Sequence, residues 1–145
     1  MKPMSVPMTV EETILSPTPA GEIWELCGAP ASIADWSPSV GKSWMDGDVR
    51  YVELTGAGQA RDRITQHDDA EHYYTYDYLD GPLVLGSMSA RFAVQSTVDG
   101  GSKIVWSAQF TAVDDAQGAA LAQAVGGLYQ AGLNSLTALV AASHS

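Results

Sequence analysis

Basic residues are scarce in this sequence. Its 145 residues include 7 lysines and arginines against 17 aspartates and glutamates, which gives a formal net charge of −10. A negative field of this size repels phosphate groups, so the composition argues against nucleic acid and anionic membrane surfaces as partners. We therefore expect neither kind of partner.

Cysteine and long apolar runs are also nearly missing. The single cysteine, Cys27, excludes an internal disulfide and fits a reducing cytoplasm. No run approaches the roughly 20 apolar residues that cross a bilayer, and the opening MKPMSVPMTV lacks the apolar core of a secretory signal. Because 46% of the residues are hydrophobic, the chain can still build a core. We expect one cytoplasmic domain spanning residues 1–145, with no membrane span.

The longest periodic pattern lies near the C-terminus and predicts a helix over Asp114–Ala142. Asp114, with Gln117 three positions later, forms a start that resembles a capping box. Large apolar residues recur at helical spacing and form one stripe: Leu121, Val125, Leu128, Leu136 and Leu139.

Four glycines interrupt this helix, at positions 118, 126, 127 and 132. Each costs about 0.5–1 kcal/mol relative to alanine. Gly132 falls on the apolar stripe, between Leu128 and Leu136, where a core normally holds a large side chain. Two interpretations follow: close packing of the helix on a sheet, or a cavity beneath the helix.

Turn residues divide the rest of the chain into short segments. The pattern predicts a strand over Ser5–Leu15, a short helix over Pro17–Cys27 and a short helix or turn over Ala31–Asp35. Six further strands are predicted, at Ser39–Met45, Val49–Thr55, Gln59–His67, Glu71–Leu79, Gly86–Val98 and Ser102–Val113. This order predicts one antiparallel sheet that buries a face against one long helix.

Alternation along the strands predicts which side chains face that helix. The inner sets are Arg50, Val52 and Leu54; Ala60, Asp62, Ile64 and Gln66; Tyr74, Tyr76 and Tyr78; Met88, Ala90, Phe92 and Val94; and Ile104, Trp106, Ala108 and Phe110. An arginine, a carboxylate and tyrosines among aliphatic residues are typical of an apolar pocket with a few placed polar groups.

Five stretches of the chain, in this order, resemble the helix-grip superfamily. They are Ile33–Pro38, Asp62–Ile64 with Asp68-Asp69, Tyr76–Leu83, Trp106–Phe110 and Tyr129–Leu136. The superfamily includes START domains, the major birch pollen allergen and plant abscisic acid receptors. Its bacterial polyketide cyclase/dehydrase-like branch is the most similar.

The resemblance implies an α+β fold in which a curved antiparallel sheet of about seven strands wraps around the C-terminal helix. Two short helices follow the first strand, and an internal cavity opens between the loops Gly56–Gly58 and Gly81–Gly86. Relatives commonly have glutamate at the position of Asp62, and many have Trp-His-Pro where this chain has Trp36-Ser37-Pro38. Whatever that histidine does in them is absent here.

Asp62 is the strongest candidate for a catalytic residue. Burial in apolar surroundings would raise the pKa of its carboxyl and suit it to acid–base chemistry, with Tyr76 as a second candidate. Arg50 is a candidate polar anchor that leaves room for one ligand carboxylate. The alternative is a structural ion pair between Arg50 and Asp62 on neighbouring strands.

The remaining candidates are large or inward-facing residues predicted to contact a ligand. They are Trp36, Trp44, Val52, Ile64, Tyr74, Tyr78, Met88, Ala90, Phe92, Trp106, Leu128, Tyr129 and Gly132. Core packing is the alternative role for the aromatic residues, since strands and cores favour them.

The segment His67–His72 suggests a metal site, but an acidic turn explains it, and alternation places the two histidines on opposite faces. We expect no metal and no cofactor. The leading function is binding of a small hydrophobic or aromatic, polyketide-like molecule, with cyclisation, dehydration or lyase-type acid–base chemistry as an accompanying activity. A non-catalytic carrier or sensor is the alternative, and a protein-interaction module is the third. Monomer and homodimer both stay open.

Overall fold

The computed structural model describes residues 6–143. Strand β1 (Val6–Ser16) leads into helix α1 (Ala20–Cys27), a 3₁₀ turn (Pro30–Ser32) and helix α2 (Ile33–Trp36). The predicted first residue of β1, Ser5, lies outside the described residues. Six strands and one long helix follow: β2 (Val40–Asp46), β3 (Val49–Leu54), β4 (Gly58–Asp68), β5 (Tyr73–Asp80), β6 (Met88–Ser96), β7 (Ser102–Ala112) and α3 (Asp115–Ser143).

All seven strands join one antiparallel sheet in the order β1-β7-β6-β5-β4-β3-β2. Consecutive strands from β2 to β7 are direct neighbours, as in a meander, and β1 closes the sheet against β7. The sheet curves around α3, which confirms the predicted helix-grip α+β fold. None of the helices in residues 6–143 is long and apolar enough to span a membrane.

The start of α3 is capped as its sequence predicts. The Asp114 carboxylate accepts a hydrogen bond from the Gln117 amide nitrogen at 2.7 Å. The Gln117 side-chain oxygen accepts one from the Val113 amide nitrogen at 2.6 Å. These bonds satisfy backbone donors that the first helical turn leaves unpaired.

Close packing, not a cavity, explains Gly132. A Cβ atom at this position would lie 3.0 Å from Cζ3 of Trp106 and 3.1 Å from Cζ3 of Trp36. At Gly118 a Cβ would lie 2.7 Å from the sulfur of Met8 on β1. Both glycines therefore let the helix approach large side chains of the core, and the interpretation of open space beneath Gly132 is wrong.

An irregularity in β4 shifts the predicted alternation by one residue. Ile64 pairs with Tyr76, but the next pairs are Gln66 with Thr75 and His67 with Tyr74. Gln66 is therefore exposed instead of facing inward, because the extra residue of a bulge reverses the faces beyond it. The histidines also differ from expectation, since the rings of His67 and His72 both lie beside Trp24, with centroids 6.2 and 5.4 Å away.

One half of the space between sheet and helix is filled by aromatic rings. Trp36 stacks on Phe92 with ring centroids 5.3 Å apart, and Trp106 meets Phe92 edge-on at 5.4 Å. The C-terminal half of α3 packs over this cluster through Gly132 and the fully buried Leu133 and Leu136. This end of the interior is a close-packed core.

Candidate functional site

A cavity of about 330 Å³ occupies the other half of the interior. The N-terminal half of α3 covers it with Ala124, Val125, Leu128 and Tyr129. Its mouth is marked by lining residues that are exposed or half-buried, in the turn between β3 and β4 and in the loop after β5: Thr55, Ala57, Pro82 and Leu83. The aliphatic and thioether side chains at its wall are Ile33, Val40, Val52, Leu54, Ala60 and Met88. A cavity of this size and apolar character is typical of small-molecule sites.

Arg50 and Asp62 form a bidentate ion pair at the cavity wall. They face each other across β3 and β4, with Arg50 Nε 3.1 Å from Asp62 Oδ1 and Arg50 Nη2 3.1 Å from Asp62 Oδ2. Arg50 Nη1 also donates to the backbone oxygen of Pro30 at 2.9 Å and to the Tyr74 hydroxyl at 3.1 Å. The guanidinium is only 1% exposed, so these bonds replace its hydration.

Burial dominates the electrostatics of this pair. It raises the pKa of the Asp62 carboxyl above its ordinary value, and the nearby positive charge of Arg50 opposes that shift. Because Asp62 already neutralises Arg50, a ligand carboxylate would add a second, unpaired anion. The pairing with Asp62 therefore disfavours the predicted ligand carboxylate at Arg50, whose role as a polar anchor stays a prediction.

Three aromatic residues form a second polar cluster at the wall. Trp106 Nε1 donates a hydrogen bond to the Tyr76 hydroxyl at 3.0 Å, and the hydroxyls of Tyr76 and Tyr129 lie 3.2 Å apart. The rings of Trp106 and Tyr129 stack with centroids 3.9 Å apart. Burial raises the pKa of both phenols, so both hydroxyls keep their protons at neutral pH.

The mouth has its own anchor in Tyr78. Its hydroxyl accepts a hydrogen bond from the Leu83 amide nitrogen at 3.0 Å, which ties the loop after β5 to the wall. Gly81 makes the turn with φ of 147°, and a Cβ there would lie 2.5 Å from the Tyr78 hydroxyl. Only glycine fits this combination of backbone angle and space.

Most of the candidate residues from the sequence meet at this cavity. Its wall includes Arg50, Val52, Asp62, Tyr76, Tyr78, Met88, Trp106, Leu128 and Tyr129. The remaining inward-facing candidates pack behind the wall, outside the cavity lining: Trp36, Ile64, Tyr74, Ala90, Phe92 and Gly132.

Trp44 lies on the opposite face of the sheet. It pairs with Tyr51 across β2 and β3, and the two rings stack with centroids 5.3 Å apart. Lys42 Nζ lies 5.2 Å from the Trp44 ring centroid. Since Arg50 and Val52 point inward, Tyr51 and its partner Trp44 point outward, and Trp44 cannot line the cavity.

Several wall residues were not among the sequence candidates. Leu54 and Ala60 belong to the predicted inner sets, and Val125 lies on the apolar stripe of α3, so the signal for them was present. Ile33 and Val40 flank the Trp36-Ser37-Pro38 turn, where the sequence has no helical or strand periodicity that predicts which side chains face inward. Ala124 is not a member of the apolar stripe of α3, and only the tertiary structure shows that it lines the cavity.

The acidic turn after β4 is held by its own side chains. Asp69 Oδ1 accepts a hydrogen bond from Trp24 Nε1 at 2.9 Å and lies 3.1 Å from His67 Nε2. Asp68 Oδ1 accepts from the amide nitrogens of Ala70 and Glu71 at 3.0 and 2.9 Å. Within residues 6–143, no group of three or more His, Cys, Asp or Glu side chains is arranged to hold a metal ion.

The fold is that of a helix-grip protein, and the comparison with known families agrees with it. The family described as "Polyketide cyclase / dehydrase and lipid transport" matches residues 7–141, so the chain belongs to this family. A comparison with curated proteins finds no significant match.

Solved structures resemble the whole chain. The XoxI protein from Bacillus cereus superposes with a TM-score of 0.86 at 23% identity, covering 95% of this chain and 99% of that one. The Zhui aromatase/cyclase from Streptomyces sp. R1128 gives 0.74 at 19% identity, covering 92% and 93%. Norcoclaurine synthase from Thalictrum flavum, in complex with dopamine and hydroxybenzaldehyde, gives 0.74 at 14% identity, covering 94% and 88%. At these identities the likeness concerns the fold.

Proposed function

We propose that this protein binds a small, predominantly apolar molecule in the cavity between its sheet and the N-terminal half of α3. The observation that carries the proposal is the division of the interior into a filled aromatic half and a lined cavity of about 330 Å³. An aromatic or polyketide-like compound of a few rings suits this volume and its apolar wall.

The polar groups of the cavity support binding of a neutral molecule. The one charged pair at the wall, Arg50 with Asp62, is internally neutralised. The polar cluster of Trp106, Tyr76 and Tyr129 carries no charge, because both phenol hydroxyls keep their protons and the indole N–H is neutral. A charged ligand would lose hydration without gaining a counter-ion, whereas an apolar ligand with one polar group loses little.

A second candidate function is acid–base catalysis at Asp62. Burial raises the pKa of its carboxyl at the cavity wall, which favours this function. Both carboxylate oxygens, however, already accept hydrogen bonds from Arg50, and this favours a structural role. Folding of a reactive substrate by the wall would accelerate cyclisation without Asp62, through orientation alone.

A lined cavity supports binding more than it supports the protein-interaction module considered from the sequence. That module would fill its interior and expose an apolar patch instead. Carrier and enzyme both use the cavity, and conversion of the bound molecule separates them.

The first experiment is native mass spectrometry of the protein purified from its own host. We expect an added mass that is released on denaturation, and incubation of that molecule with fresh protein then tests conversion, read as loss of water or formation of a ring. Product that forms only with protein supports an enzyme. An unchanged molecule supports a carrier or sensor.

A matched pair of variants tests the location of binding with Nile red, a neutral dye that fluoresces in apolar surroundings. Val125 lines the cavity and is 5% exposed, so Val125→Trp places a large ring inside it, whereas Ala119→Trp places the same ring on an exposed position of the same helix. We expect Val125→Trp to lower dye affinity at least tenfold and Ala119→Trp to change it less than twofold. Equal effects of the two variants, or no dye binding by the unmodified protein, would contradict the proposed cavity.

A further inference from the structure

One of the two hydroxyl hydrogens of Tyr76 and Tyr129 has no acceptor among residues 6–143. Trp106 Nε1 donates to the Tyr76 oxygen, and the two hydroxyls share a single hydrogen bond with each other. A phenol carries one hydrogen, so the pair holds two, and their mutual bond uses only one of them. Among residues 6–143, neither hydroxyl has another hydrogen-bond partner.

The direction of the shared bond does not change this count. If Tyr76 donates to Tyr129, the Tyr129 hydrogen is left over. If Tyr129 donates to Tyr76, the Tyr76 oxygen accepts twice and its own hydrogen is left over. Both side chains are buried and line the cavity, so the extra donor belongs to the cavity wall and not to the protein surface. A ligand that displaces cavity water without offering an acceptor leaves this donor unsatisfied, which is costly, whereas a ligand with an acceptor avoids that cost.

Other hydroxyls nearby do not serve the same role. The Tyr74 hydroxyl accepts a hydrogen bond from Arg50 but does not line the cavity. The Tyr78 hydroxyl lies at the mouth, is bonded to the loop through Leu83, and is only partly buried. The Tyr76–Tyr129 pair is therefore where the wall presents a buried O–H to a ligand.

Charge near the pair favours a neutral acceptor. The guanidinium carbon of Arg50 lies 4.7 Å from the centre of the Tyr76 ring, but its charge is paired with Asp62 at the same wall. No unpaired cation is therefore available to an anionic ligand. A carbonyl oxygen suits this site, since it is neutral, strongly polarised and only an acceptor.

From this count we infer that the Tyr76–Tyr129 hydroxyl pair determines ligand specificity by donating one hydrogen bond to a carbonyl oxygen. The ligand is then a neutral ketone, aldehyde or quinone whose carbonyl lies against the pair. This inference rests on the proposed function, because it assigns a chemical class to the ligand of the same cavity.

Two probes of nearly the same shape test the inference. 2-Acetylnaphthalene carries a carbonyl oxygen, and 2-isopropenylnaphthalene has a CH₂ group in its place. We expect the unmodified protein to bind the ketone about tenfold more tightly, in line with a recovered buried hydrogen bond. Affinities are measured by competition with Nile red.

Variants then locate the donor. Tyr129→Phe leaves the Tyr76 hydrogen free for the ligand, so the ketone preference is expected to persist. Tyr76→Phe combined with Tyr129→Phe removes both hydroxyls and leaves only the weaker indole N–H of Trp106, so the preference is expected to fall to about threefold or less. Tyr51→Phe, on the outer face of the sheet, is the matched control and is expected to keep it.

A measurement on the unmodified protein avoids dependence on the folding of the double variant. The infrared carbonyl stretch of bound 2-acetylnaphthalene is expected at lower frequency than in an alkane solvent, as hydrogen bonding weakens the C=O bond. An alkane-like frequency, equal affinity for both probes, or a full ketone preference in the double variant would overturn the inference while leaving cavity binding intact. If neither probe binds, the proposed function itself fails and this inference falls with it.

Discussion

Two alanine substitutions in α3 are expected to change stability in opposite directions. Gly127 and Gly132 both lie inside the helix, and alanine gains about 1 kcal/mol over glycine at such positions. Their surroundings differ. A Cβ at position 127 meets no atom within 4 Å, whereas at position 132 it meets Trp106 and Trp36 at 3.0 and 3.1 Å.

The balance at each site follows from these distances. Gly127→Ala gains helix propensity without a clash, so we expect a stabilisation of about 0.5–1 kcal/mol. Gly132→Ala presses on two indole rings that are 2% and 1% exposed, and such overpacking costs about 1–3 kcal/mol. The cost exceeds the gain, and we expect a net loss of about 1 kcal/mol.

Urea unfolding followed by tryptophan fluorescence measures both changes, and circular dichroism checks that the helix content is kept. The difference between the two variants is expected to be about 2 kcal/mol, or several degrees in melting temperature. If Gly132→Ala stabilises the protein as much as Gly127→Ala does, the helix does not pack closely on the tryptophans. The interpretation of a cavity beneath Gly132 would then return.

Three further outcomes follow from the structure. Asp62→Asn leaves the buried Arg50 guanidinium without its counter-charge and is expected to destabilise the fold by about 3–5 kcal/mol in urea unfolding, whereas Arg50→Met with Asp62→Leu recovers most of that loss. A loss below about 1 kcal/mol for Asp62→Asn would contradict a structural ion pair. Burial raises the pKa of the Cys27 thiol from 9.0 to about 12, so the native chain keeps a proton that the unfolded chain releases. The contribution of the buried thiol to the free energy of unfolding is therefore fully present below pH 9. It is lost between pH 9 and 12 at up to about 1.4 kcal/mol per pH unit. The stability difference between the unmodified protein and Cys27→Ala should shrink over this range, and a constant difference would refute the burial of the thiol. Gly81→Ala is expected to displace Tyr78 and loosen the mouth, seen as faster dissociation of Nile red than from the Gly47→Ala control, whose Cβ meets no atom within 4 Å.

Patterns of period and turn were sufficient for the architecture. Alternation placed Arg50 and Val52 on the inner face of β3, and the structure buries both. The capping pair Asp114 and Gln117 marked the start of α3 within one residue. These features depend on neighbours in the sequence, which explains why one sequence is enough to predict them.

Features that depend on pairing between strands were not predictable in the same way. The irregularity in β4 reverses the faces of Gln66 and His67, yet nothing in the local sequence marks it. Trp44 follows a second irregularity, between Val40 and Lys42 in the pairing of β2 with β3. Its aromatic character suggested a ligand wall, but its face is fixed by the register with Tyr51, which only the assembled sheet shows.

The structural roles of Gly132 and Asp62 likewise depend on tertiary contacts. Gly132 lay on the buried stripe as predicted, but whether it faced space or a ring depended on two tryptophans distant in the chain. Alternation along β4 predicts that Asp62 faces inward, and the structure buries it. The sequence leaves two roles open for it, acid–base catalysis and a structural ion pair with Arg50. The geometry favours the ion pair because the guanidinium meets both carboxylate oxygens, a detail of side-chain conformation that no pattern contains.

The two halves of α3 cover different parts of the interior. The C-terminal half packs through Gly132, Leu133 and Leu136 on interlocked aromatic rings, where any added volume is resisted. The N-terminal half covers the cavity with Ala124, Val125 and Leu128, side chains that change shape at little cost to that core. Under the proposed function, we therefore expect substitutions at the half-buried Leu128 to change which molecule fits more than they change stability. Substitutions at Leu133 or Leu136 are expected to do the reverse, because both side chains are fully buried in the aromatic half.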